Sequence, residues 1–190
     1  MVVFAFVGST TPGPVNLLAT STAINHGKRA AAKFVTGASV AYAMVVFLTG
    51  GMMQTVATLI PKLATAMQMC GSVFILYLAY KIFTAPAASL ESSSDEKSGF
   101  WAGGLTQILN PKAWLVAMSG VSLYVIGQEN EHLSLLLFTA VSLILCLIGV
   151  GIWAIIGRVL ARYLDNAERF VLFNKVMASL LAASVAVIWI

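Results

Sequence analysis

Two short proline-centred motifs and one lysine carry most of the chemistry open to this sequence. TTPGPVN, residues 10–16, interrupts the apolar opening MVVFAFVGSTTPGPVNLLATSTAI, and LNPKA, residues 109–113, interrupts FWAGGLTQILNPKAWLVAMSGVSLYV. A proline lacks a backbone N–H and clashes with the carbonyl four residues earlier, so each motif should unwind a helical turn and free peptide groups. Half-helix ends made this way attract a carboxylate at N-termini and an ammonium group at free carbonyls, which suits a zwitterionic amino acid. The candidate substrate-binding residues are therefore Pro12, Gly13, Pro14 and Asn16 in the first motif and Asn110, Pro111 and Lys112 in the second. Ser9, Thr10 and Thr11 add hydroxyls. Proline and glycine also kink packed transmembrane helices that bind nothing. Two motifs at matched depth, each about eleven residues into its apolar run, favour a site.

Lys112 is the only charged residue deep in any apolar run. A lysine at the bilayer centre costs roughly 2.5–3.5 kcal/mol on insertion scales, so it should face the interior and have a partner or a task. No Asp or Glu lies in a run to pair with it. Carbonyls freed by the first break, or a substrate carboxylate, are the expected partners. The alternative is that its ammonium snorkels to an interface.

The elements that must position these residues follow from composition. Hydrophobic residues make up 59% of the 190-residue chain and charged residues 9%, and the mean hydropathy is +0.92; a soluble domain carries about 25% charge. The lipid bilayer is the expected solvent. Apolar runs at roughly 2–25, 34–60, 63–83, 100–126, 133–157 and 171–190 each approach the ~20 residues a helix needs to cross the hydrocarbon. Their length without period-2 alternation excludes barrel strands, so an all-α integral membrane protein of six transmembrane helices is expected, the first and fourth broken. No basic n-region or cleavage site marks a signal peptide, so the first span should be retained.

The net charge of +4 belongs to topology and not to a nucleic-acid surface. Nine of the eleven Lys and Arg (Lys28, Arg29, Lys33, Lys81, Lys97, Arg158, Arg162, Arg169 and Lys175) fall in alternate gaps, whereas the others hold only Lys62 or the acidic GQENEH. The basic loops are thus expected in the cytoplasm and both termini outside. A Ser- and charge-rich cytoplasmic linker at about 85–98 divides one transporter domain, 1–190, into halves of about 1–84 and 99–190. Three spans per half is an odd number, so the halves enter the membrane in opposite senses, as inverted repeats do.

TPGPVN, HGKRAAAKFVTGA, GSVFILYLAYKIF, LNPKA and FNKVMASLLAASVAV together resemble the lysine exporter family of bacterial amino-acid efflux proteins along essentially the whole chain. The short length and ATSTAINHG are most similar to its cysteine and O-acetylserine exporter branch. The resemblance implies an inner-membrane secondary transporter that exports small neutral amino acids or derivatives (cysteine, O-acetylserine, homoserine-like), driven by protons as coupling ion. It maps Pro12, Gly13, Pro14 and Asn16 onto the first family motif and Asn110, Pro111 and Lys112 onto the second. Many members carry an acidic residue near the stretch from Gly37 to Ala41, and none is present here, which removes a carboxylate relay at that place. The chain also starts closer to its first motif than is usual for the family.

Other features read as packing. Cys70 and Cys146 form no CxxC or metal-ligand spacing. A membrane thiol-disulfide transducer, the alternative they raise, would need cysteines beside the broken-helix prolines. A non-transporting assembly subunit is a third reading. His26 and His132 are expected as interfacial caps, and Trp101, Trp189 and Tyr163 as an aromatic belt. Trp114 and Trp153 fall deeper, either lining a cavity or packed in the core, and core packing is the expected role. The spacings Gly37/Ala41, Gly99/Gly103 and Gly149/Trp153/Gly157 allow close helix contact and a homodimer. No catalytic, metal or cofactor motif is present, and no enzyme activity is expected.

Overall fold

The computed structural model describes residues 1–84, 98–161, 163 and 167–188. Most of the expected linker, with Lys97, lies outside the described residues, as do Arg162 and Trp189. Among the described residues all regular structure is helical: α1 Val2–Thr10, α2 Pro14–Asn25, α3 Gly27–Gly51, α4 Met53–Phe83, α5 Ser98–Ile108, α6 Pro111–Tyr124, α7 Glu131–Ala161 and α8 Ala167–Ile188.

α3, α7 and, over Ala167–Ala186, α8 are each long and apolar enough to cross a membrane. α1 and α2 make a fourth span if the pair, bent by 61° at its break, counts as one. α1 has 9 residues and α2 has 12, so at 1.5 Å per residue they are about 14 and 18 Å long, each roughly half of a bilayer core. α5 and α6, with 11 and 14 residues, are about 17 and 21 Å long, each likewise shorter than a bilayer core.

The turn between the second and third runs lies elsewhere than the hydropathy pattern suggests. α3 ends at Gly51 and α4 starts at Met53, so Pro61 and Lys62 fall within α4 and not between helices. The Gly50–Gly51 pair supplies the break, because paired glycines weaken a helix.

α3 packs most extensively on α5, and α7 covers α3, α2 and α1, while α4 lies against α8. Glycines permit the tightest crossings. Gly37 meets the backbone of Phe100 and Gly103 that of Phe34, so closely that a methyl group at either position would overlap it. On the other side Gly149 admits Ser9, and the Thr20 carbonyl oxygen lies 2.5 Å from where a Gly157 Cβ would stand. The small residues thus bring helices of this chain together, as the spacings suggest.

Ten of the twelve residues of α2 are buried. Large apolar side chains such as Val3, Val73, Leu115, Leu123 and Ile155 are exposed instead. An apolar exterior around a partly polar interior is the distribution that lipid requires.

Basic side chains gather near the end of α4. Lys175, in the third turn of α8, lies over the ring of Phe83 at the end of α4, 5.8 Å from its centroid. Partial burial, and then the charge of Lys81, push the pKa of His26 below its usual value. Beneath them a buried amide pair ties α2 to α8: Asn25 Nδ2 donates to Asn174 Oδ1 at 3.0 Å and Asn174 Nδ2 donates back at 2.9 Å. Asn25 Nδ2 also reaches the Ser21 carbonyl at 2.9 Å.

Candidate substrate site

Both proline motifs build the same local device. Pro14 and Pro111 each occupy the first turn of the second half-helix, where a missing N–H costs nothing. Thr11, Pro12 and Gly13 form the first break, with Gly13 fully extended (φ −178°, ψ 179°). Leu109 and Asn110 form the second, and the Asn110 side chain caps α6 by accepting from the Lys112 backbone N–H at 3.2 Å.

In a continuous helix the carbonyls of Ser9, Thr10 and Thr11 would pair with the N–H groups of residues 13, 14 and 15, and residue 14 has none. Side chains from three helices take their place. Asn16 Nδ2 donates to the Ser9 carbonyl at 3.0 Å and to that of Thr11 at 2.9 Å. The Trp153 indole N–H, from α7, donates to the Thr10 carbonyl at 3.0 Å. The Lys112 ammonium, from α6, donates to the Thr11 carbonyl at 3.2 Å. At the second break the Trp114 indole N–H takes the Ile108 carbonyl at 2.8 Å.

A cavity of about 40 Å³ lies where the breaks meet. Gly13, Asn16, Asn110 and Lys112 are among its lining residues, together with Gln107 and Cys146. Asn16 is 3% exposed and its Oδ1 has no partner; Gln107 is 7% exposed and its Oε1 has none either. Lys112 is half-buried and Thr11 exposed, so the cavity opens on that side. A larger hollow between α3 and α7, lined by Val40, Met44, Phe47, Leu48, Thr139 and Leu143, is almost wholly apolar and suits lipid better than a polar solute.

The seven residues singled out in the sequence therefore belong to two breaks that face each other. Pro12 is exposed and lies in the first break without lining the cavity, while Pro14 and Pro111 act as helix starts. Sequence reasoning missed the two tryptophans as partners of freed carbonyls, although a deep indole N–H always needs an acceptor. It missed Gln107, which looks like any polar residue on a helix. It also read Cys146 as packing remote from the breaks; Cys146 is buried in the cavity wall, and Cys70 is exposed on α4. Neither cysteine is in a disulfide.

Residues 6–188 match the LysE type translocator family. A cysteine/O-acetylserine efflux protein of Salmonella typhimurium is 32% identical over 181 residues, covering 94% of this chain and 90% of the relative. One of Escherichia coli O1:K1 is 29% identical over 181 residues with the same coverage. No solved structure matches the chain. With nearly its whole length matched and apolar helices long enough to cross a bilayer, this multi-pass membrane protein belongs to the LysE type translocators, a family of transporters and not of enzymes.

Proposed function

We propose that this protein is an inner-membrane secondary transporter that exports small neutral amino acids or their derivatives, cysteine and O-acetylserine foremost, driven by the proton gradient. The meeting of two matched helix breaks at one partly polar cavity, with Lys112 reaching from one break to the other, carries this function. The substrate carboxylate goes to Lys112 and its ammonium group to oxygens of the cavity wall, with Pro12, Gly13, Pro14, Asn16, Asn110 and Pro111 shaping the pocket.

Six spans in two inverted halves are the architecture of this proposal. The helix contacts support it by their pairing: α3 against α5 is matched by α7 against α1, α2 against α7 by α6 against α3, and α2 against α8 by α6 against α4. An exchange of halves maps each pair onto the other, and α3 against α7 and α4 against α8 onto themselves. Rocking of one half against the other about the breaks would then expose the site alternately to each side. A cavity of about 40 Å³ holds a water molecule or two but no amino acid, so substrate needs a more open state. Basic side chains gathered near the ends of α2 and α4 support a cytoplasmic position for that face, with both termini outside.

The test is the amino-acid content of the medium around cells overproducing the protein. Selective accumulation of cysteine, O-acetylserine or another small neutral amino acid is expected over cells with an empty vector. An unchanged medium across all small metabolites would overturn the proposal.

A further inference from the structure

We infer that Gln107 and Asn16 form an acceptor pair for the substrate's α-ammonium group, and that this pair restricts the site to amino acids whose nitrogen is unblocked. The assignment rests on the export function proposed above and deepens it.

Asn16 cannot turn its amide around. Its Nδ2 is held by the carbonyls of Ser9 and Thr11, at 3.0 and 2.9 Å, so the atom left over is Oδ1, an acceptor without a donor. Gln107, at the end of α5 on the other half of the chain, holds Oε1 without a donor at the border of the same cavity. Buried amide oxygens normally have partners, and leaving one without costs stability. Two of them, contributed by separate halves to one small cavity, mark a place that a donor fills.

The donor required is set by the remaining wall. Lys112 brings a positive charge to the cavity, and no carboxylate lines it. A zwitterion supplies the complement, with a carboxylate for Lys112 and an ammonium bearing three N–H donors for the oxygens. The acceptors are neutral, so a second ammonium on a dibasic amino acid would find no counter-charge and would be repelled by Lys112. An N-acylated amino acid keeps its carboxylate but offers one amide N–H in place of the ammonium, leaving at least one oxygen unfilled.

Isomers separate this cleanly. O-acetylserine and N-acetylserine contain the same atoms and differ in whether the nitrogen is free; cysteine and N-acetylcysteine, which differ by the acetyl group itself, form a second comparison though not an isomeric one. Transport is measured in liposomes containing the full-length protein, at mildly acidic pH so that the acetyl group does not migrate. Wild type should favour the free-amine member of each pair. Gln107→Met keeps length and removes the acceptor: KM for O-acetylserine should rise about tenfold or more, with turnover much less affected and the preference for the free amine reduced. Gln107→Glu restores an acceptor and should restore the preference. Gln107→Asn withdraws the oxygen by one methylene and should behave like Gln107→Met, which keeps the test open if the methionine variant does not fold. An unchanged preference in a folded Met or Asn variant, while wild type transports O-acetylserine, overturns the assignment alone and leaves the oxygens to water. Failure of wild type to move either free amine overturns the export function and the assignment with it.

Discussion

The Lys112 ammonium stands 3.2 Å from the carbonyl oxygen of Thr11, a residue 101 positions earlier in the chain. The contact ties the start of α6 to the break between α1 and α2, so a movement that separates the two halves must break it or replace it. A substrate carboxylate is the natural replacement, because it offers the ammonium a charged acceptor where the carbonyl offers a neutral one. In the proposed export function binding and opening would be linked through this one side chain, because a ligand shifts a conformational balance only through such a difference between states.

Trp153 should matter for its N–H more than for its ring. Trp153→Phe keeps most of the apolar surface but leaves the Thr10 carbonyl without its 3.0 Å partner. The expected loss is about 1–3 kcal/mol, a fall of several degrees in the melting temperature of the detergent-solubilised protein. A melting curve indistinguishable from wild type would show that another donor reaches Thr10.

The Asn25–Asn174 pair predicts non-additivity. Each residue is almost fully buried, at 6% and 1% exposure, and each donates to the other. Asn25→Ala or Asn174→Ala strands a buried amide and should cost about 1–3 kcal/mol. Replacing both should cost less than the sum, by about 0.6–1.7 kcal/mol, the range for hydrogen bonds between membrane helices. A double-mutant cycle on thermal or denaturant unfolding measures the difference, and strict additivity would contradict a direct bond.

Glycines should divide by surroundings and not by number. Gly103→Ala drives a methyl group into the Phe34 carbonyl and should prevent the α3–α5 crossing, with little folded protein recovered from membranes. Gly151→Ala, where nothing lies within 4 Å, should be neutral or gain up to about 1 kcal/mol of helix stability. Size-exclusion profiles of the two solubilised variants make the comparison; equal yields would refute the close crossing.

What the sequence makes legible is local. A missing N–H at Pro14 or Pro111, a lone charge at Lys112 and a Pro-Gly-Pro string act within one helical turn, so the breaks can be read without a fold. The turn at Met52 cannot, because two apolar helices joined by one residue leave no polar gap, and Pro61 offers a misleading one. The partners of the breaks are equally hidden. Trp153 and Thr10 are 143 residues apart, Asn25 and Asn174 are 149 apart, and only packing shows which deep polar group meets which. Gln107 and Cys146 become members of the site only when α5 and α7 close around α2.

The central claim is that substrate binds between the two breaks through Lys112. The most direct measurement is efflux of labelled O-acetylserine and cysteine from liposomes holding equal amounts of wild-type, Lys112→Arg and Lys112→Met protein, each checked for an intact melting transition. Wild type should transport, Lys112→Arg should retain part of the rate by keeping a cation at the cavity, and Lys112→Met should fall at least about tenfold, the equivalent of one charged hydrogen bond. Folded Lys112→Met protein that transports at the wild-type rate would contradict the account.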